Sequence, residues 1–208
     1  MASIAEARMA LAAGADAIGL VSAMPSGPGV IDDATVRLIA DWTLPPLDAW
    51  LLTALEDAEA LAAQIQQARV RTVQLVRHLP VSALIALRSL RPGLRIVQVI
   101  HVEDDNAIDL ARAYAETADA LLLDSGRPSA AIPLLGGVGQ PHDWSISQRI
   151  VKAVDRPVFL AGGLNADNVS QAIDRVRPFG VDLCSGVRST GALDPDLLGA
   201  FMAAVSAA

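Results

Sequence analysis

The chain reads as an α/β protein, a TIM-type (β/α)8 barrel that lacks its first strand. Three observations predict this. Seven short apolar runs alternate with longer segments of 3.6-residue period. Successive units recur roughly every 25 residues, as barrel units do. The first periodic segment, Ile4 to Ala13, is helical and no strand precedes it. The alternation alone also fits an open doubly wound sheet, but such a sheet opens with a strand and a glycine-rich turn.

The strand runs come in order. Ala17 to Val21, Ala49 to Leu52, Thr72 to Val76 and Ile96 to Ile100 form the first four. Ala120 to Leu123, Val158 to Ala161 and Val181 to Leu183 complete the set. Their nearly unbroken apolar character suits parallel strands buried on both faces. Between and after them, residues 33–42, 55–68, 81–90, 103–116, 145–154, 166–176 and 195–207 carry helical periodicity. Asp32, Asp143, Asn165 and Asp194 stand at or beside helix starts, where a side-chain oxygen caps free N–H groups. No Gly-, Ser- or Pro-rich linker divides the chain, so residues 1–208 are expected to form one domain.

Composition narrows the function. Hydrophobic residues make up 52% and charged residues 19%, which excludes a disordered chain. A net charge of −7 speaks against nucleic acid or an anionic membrane as a partner. No apolar stretch is long enough to span a bilayer. The single cysteine, Cys184, excludes a disulfide framework and suits a reducing cytoplasm. No set of three convergent ligands suggests a metal, and no cofactor is expected.

The strongest local signal is Leu160-Ala161-Gly162-Gly163-Leu164-Asn165, which ends a strand and leads into a helix. Glycines let a ligand approach the backbone, and a helix start offers N–H groups to an anion. The next unit repeats the logic at Val181-Asp182-Leu183-Cys184-Ser185-Gly186-Val187. The loops after the last two strands of such barrels commonly hold phosphate. Two tight turns that need glycine for geometry would read the same way.

Several stretches, in order along nearly the whole chain, resemble the phosphoribosylanthranilate isomerase family of tryptophan biosynthesis. They are Gly14-Ala15-Asp16-Ala17-Ile18-Gly19, Val73-Gln74-Leu75 and Leu122-Leu123-Asp124-Ser125. Gly136-Gly137-Val138-Gly139 follows, with His142-Asp143-Trp144. Then come Ala161 to Asn165 with Asn168-Val169, and Val181-Asp182 with Ser185-Gly186-Val187.

The resemblance implies an Amadori rearrangement of an aminoaldose phosphate to an aminoketose phosphate. A general acid protonates the furanose ring oxygen, and a general base takes the C2′ proton. It implies that Asp124 is the acid. It implies that Gly162, Gly163, Ser185 and Gly186 hold the phosphate. Asp182 would face the substrate's hydroxyl or amino groups, and Gly137 would belong to a loop over the substrate. The implied partner is a small phosphorylated molecule.

The chain also departs from the family. The family's base is a cysteine in a Lys-Ile-Cys-Gly strand before the first helix, and Met1-Ala2-Ser3-Ile4 aligns with that helix. A substrate-binding arginine turn reads Met24-Pro25-Ser26-Gly27-Pro28-Gly29, and Gln-Leu-His-Gly reads Gln74-Leu75-Val76-Arg77. Weak or absent activity is therefore expected of these 208 residues. The alternative is a non-catalytic relative that binds a phosphorylated sugar or an aromatic ligand. His101 ends a strand at the right rim and is a candidate substitute base, with its direction left open by sequence. An incomplete barrel, low stability or a homodimer through the unpaired edges beside the absent strand is expected.

Overall fold

The computed structural model describes residues 1–24, 29–126 and 142–208. Two compact units are described in turn, one reaching to Gln98 and the other running from Val99 to Ala208.

The first unit holds α1 (Ile4–Ala12), β1 (Ala17–Val21), α2 (Asp33–Trp42), β2 (Asp48–Thr53), α3 (Ala58–Ala68), β3 (Thr72–Leu75) and α4 (Val81–Leu90). β4 (Arg95–His101) begins there. Each strand pairs in parallel with the one before it, with Ala17 opposite Asp48, Trp50 opposite Thr72 and Thr72 opposite Arg95. Right-handed crossovers put the helices on one face of such a sheet. Strand alternation then sends Ile18, Leu20, Ala49, Leu51, Val73 and Ile96 under the helices, all 7% exposed or less. The opposite face carries Asp48, Trp50 and Thr72.

That face is knitted at the N-terminal ends of the strands. Oδ2 of Asp48 accepts from Trp50 Nε1 at 2.7 Å, Thr72 Oγ1 at 2.8 Å and Arg95 Nη2 at 2.8 Å. The residues come from three neighbouring strands and meet because parallel register places them in adjacent rows.

Among the described residues, β2 is the one strand that pairs with β1. The N–H of Ser22 bonds to Leu52 on the β2 side, so by alternation the polar groups of Gly19 and Val21 point the other way. The Met1 ammonium donates to the Gly19 carbonyl there, and Ile31 N–H donates to the Val21 carbonyl at 2.9 Å. A lone parallel bridge joins Val21 to Val30.

The second unit takes the last residues of β4, then α5 (Asn106–Ala115), β5 (Ala120–Asp124), α6 (Trp144–Ala153), β6 (Val158–Leu160), α7 (Val169–Val176) and β7 (Gly180–Val181). A 3-10 turn (Ser185–Val187), a two-residue hairpin of β8 (Arg188–Ser189) and β9 (Ala192–Leu193), and α8 (Pro195–Ser206) close it. β5, β6 and β7 pair in parallel, and Val102 N–H bonds to the Asp124 carbonyl at 2.9 Å.

Three of the four expected caps form: Asp32, Asp143 and Asp194 accept from first-turn N–H groups. Asn165 does not cap. It lies in a turn in which Asp167 N–H bonds to its side chain, and α7 begins later, after Asn168. The last parallel strand ends at Val181, so Asp182 stands just beyond it and not within it. The β8–β9 hairpin has no counterpart in the apolar pattern; its turn is built on Thr190 and Gly191, both at positive φ. No helix among the described residues is long and apolar enough to cross a membrane.

Candidate active site

The sequence-derived residues of the second unit gather at the C-terminal ends of its strands. Parallel pairing explains why. Leu123 lies opposite Leu160, and Leu160 opposite Val181. One residue further along, Asp124, Ala161 and Asp182 fall in the same row, with Ala161 N–H bonded to Leu123 and Asp182 N–H to Leu160, each at 2.8 Å. The Val102 to Asp124 bond has the same form and puts His101 opposite Asp124. Partners in one row of a parallel sheet share a face. His101 also shares its face of β4 with Arg95, the residue that reaches Asp48, so it points away from the helix-covered side. Register thus decides the direction that sequence left open.

His101 is 4% exposed, and Asp124 and Asp182 are half-buried. Oδ1 of Asp124 accepts from Ser125 N–H at 2.7 Å. Removal from water raises the Asp124 carboxyl above the usual carboxylate range, against the opposing pull of the Ser125 N–H and of His101. Removal from water, with the Asp124 charge adding to it, pushes Asp182 up to about 7. Both carboxyls are therefore held toward the protonated form, and a protonated carboxyl is what a general acid requires.

The turn after β6 packs onto Asp124's neighbour. Gly162 and Gly163 have φ of +87° and +67°. A Cβ on Gly162 would stand 2.8 Å from the Ser125 backbone nitrogen and 2.7 Å from its Oγ. A Cβ on Gly186 would run into the Leu164 carbonyl oxygen. Glycine is thus required at both by close approach, which brings the two turns together. Asn168 ties the first turn down, donating to the Gly163 carbonyl at 3.0 Å and accepting from Asn165 N–H at 2.9 Å. The N–H groups of Gly162 and Gly163 donate to no group among the described residues. Ser125 Oγ, buried under Gly162, likewise has no partner there.

The remaining candidates separate. Gly137 lies outside the described residues. Cys184 is exposed beside Ser185. His78 is exposed in the segment after β3. His142 precedes the α6 cap as its sequence suggests, with Nε2 2.6 Å from Ser147 Oγ. Burial holds its ring down at about 4. Sequence reading missed the orientation of His101, the buried Ser125 hydroxyl and the clasp by Asn168. Only the last had a signal, the Asn-x-x-Asn spacing after the glycines. A surface groove of about 550 Å³ lies along α5 and α6, and four of its charges pair, Arg149 with Asp105 and Arg112 with Asp109.

Comparison with known proteins shows the family of the chain. The family model described as N-(5′-phosphoribosyl)anthranilate (PRA) isomerase matches residues 54–204. N-(5′-phosphoribosyl)anthranilate isomerase 2 of Methanosarcina mazei is 36% identical over 195 residues, covering 93% of this chain and 85% of that protein. The crystal structure of phosphoribosyl anthranilate isomerase from Thermotoga maritima is 27% identical with a TM-score of 0.84, over 100% of this chain and 96% of that one. Two more solved structures, each 25% identical with a TM-score of 0.81 and the same coverage, are similar. One shows mutually generated monomers of the dimeric Thermotoga maritima enzyme, and the other a complex with reduced 1-(o-carboxyphenylamino)-1-deoxyribulose 5-phosphate. The seven parallel strands thus belong to a TIM-type α/β fold, and the chain is a member of the N-(5′-phosphoribosyl)anthranilate isomerase family.

Proposed function

We propose that the chain carries out the reaction for which its family is named, the Amadori rearrangement of N-(5′-phosphoribosyl)anthranilate in tryptophan biosynthesis. One observation carries the reading. Asp124 ends β5 with its carboxyl held toward the protonated form, one strand from a glycine turn whose N–H groups donate to no group among the described residues. Asp124 is the general acid that protonates the ring oxygen as the ring C–O bond opens. Gly162, Gly163, Ser185 and Gly186 hold the phosphate, whose charge suits the exposed N–H groups. Asp182, in the same row as Asp124, faces the sugar. The complex of a family member with a reduced ribulose 5-phosphate compound supports a small phosphorylated ligand. The dimeric Thermotoga maritima relative supports a homodimer, which sedimentation tests. A biosynthetic role of this kind fits the cytoplasm.

The test is the fluorescence loss of phosphoribosylanthranilate on addition of the purified chain, beside binding of inorganic phosphate. Turnover abolished by Asp124→Asn, with phosphate binding abolished by Ser185→Asp, is the expected result. Binding without turnover would favour the non-catalytic alternative. Phosphate binding unchanged in Ser185→Asp would place the anion elsewhere.

A further inference from the structure

We propose that His101 is the proton-return residue for Asp124, a positioning residue that acts through the acid and resets it after each turnover. The inference rests on the reading of Asp124 as the general acid.

The argument begins with register. His101, Asp124, Ala161 and Asp182 form one row across the ends of β4 to β7 on one face. Adjacent strands of a sheet lie about 4.8 Å apart, so His101 and Asp124 are direct row neighbours. On the other side of Asp124 stands Ala161, with Asp182 beyond it in the same row. The row therefore ends in a base at one side and holds two carboxyls at the other. The charge of His101 pulls on the Asp124 carboxyl, and the charge of Asp124 acts on Asp182. His101 is 4% exposed, so its ring is shielded from bulk water.

The chemistry needs such a group. Asp124 gives its proton to the ring oxygen as the C–O bond breaks, and is left as a carboxylate. A raised carboxyl is a good donor but must regain the proton before the next substrate. The His101 imidazolium supplies it and becomes neutral imidazole. The proton that leaves C2′ when the C1′–C2′ double bond forms reprotonates the imidazole through water. Over one turnover no proton is gained or lost.

The experiment follows the Asp124 carboxyl by carbon-13 NMR in the wild type, His101→Gln and His101→Asn, and measures steady-state turnover with and without added imidazole. The NMR arm needs no turnover, so it stands if the isomerase reading fails. The relay predicts that the Asp124 midpoint moves to higher pH by roughly half a pH unit or more when the imidazole is removed. It predicts that kcat falls about 10- to 100-fold with KM little changed, and that imidazole restores several-fold of the loss. An Asp124 midpoint that does not move in either variant overturns the proposal. So does a loss of kcat that imidazole leaves untouched. If neither variant folds, the ring nitrogens of His101 are followed in the wild type and in Asp124→Asn; a titration identical in the two overturns it equally.

Discussion

Two carboxylates on strands of this chain, Asp48 and Asp124, are treated in opposite ways. Asp48 opens β2, and one of its oxygens receives three side-chain donors from β2, β3 and β4. Asp124 closes β5, and the one donor to its carboxyl among the described residues is the N–H of the next residue. The first is satisfied and knits a sheet. The second has few donors among the described residues, and its removal from water holds it toward the protonated form. In parallel α/β barrels the N-terminal ends of strands serve stability and the C-terminal ends serve chemistry. Here the division is visible in the hydrogen bonds of single residues.

The largest test of that contrast is Asp124→Asn. An amide cannot give up a proton, so turnover should fall by about 10²–10⁴-fold, the usual worth of a general acid or base. Folding stability should hold or rise, because the fold gains nothing from ionising this group. Turnover assays beside chemical denaturation check both halves. A large loss of stability would mean that Asp124 is structural like Asp48.

Asp48→Ala is the mirror experiment. It strands the indole N–H of Trp50 and the hydroxyl of Thr72, and should cost about 2–3 kcal/mol in urea unfolding. Phosphate binding should be retained in whatever fraction remains folded. A loss below about 0.5 kcal/mol would show the three-donor cluster to be no more than a surface ion pair.

Asp182→Asn sharpens the comparison through pH. The folded carboxyl sits at about 7, above its ordinary value of 3.8, so the folded state binds the proton more tightly than the unfolded chain. Its contribution is whole below pH 4 and is lost as pH rises to about 7. The asparagine variant removes that slope and should be more stable than the parent at pH 8, by on the order of 1 kcal/mol after allowance for partial exposure. Urea midpoints at pH 5 and pH 8 decide it; an unchanged difference between the two would remove Asp182 from the titrating row.

The smallest effect is expected at His142, the buried histidine outside the row. Its ring is held at about 4, below the ordinary 6.5, so the unfolded chain takes up the proton first. Stability should fall as pH drops from 6.5 towards 4, and His142→Phe should flatten that limb by on the order of 1 kcal/mol. The variant loses the bond to Ser147, so the gain applies to the slope and not to the plateau at pH 7. An acid limb identical in the two proteins would assign it to the carboxylates instead.

Local chemistry determined much of this protein from its sequence alone. Apolar runs such as Val73 to Leu75 and Ile96 to Ile100 could only be buried strands, and Asp32, Asp143 and Asp194 could only improve the helix starts they precede. Asp124 was legible through the resemblance to the isomerase family, and the Gly162-Gly163 turn through paired glycines where a strand gives way to a helix, a pattern that turn geometry alone also produces. The rows were decided by tertiary structure. Which residue of β4 faces Asp124 depends on register between strands, and a slip of one residue would have turned His101 under the helices. The same holds for the cluster on Asp48, which joins residues up to 47 positions apart. The requirement for glycine at 186 comes from the Leu164 carbonyl of a different loop. Sequence carries the periodicity of each strand, but the pairing between strands is a property of the packed sheet, and pairing determines which titratable groups become neighbours.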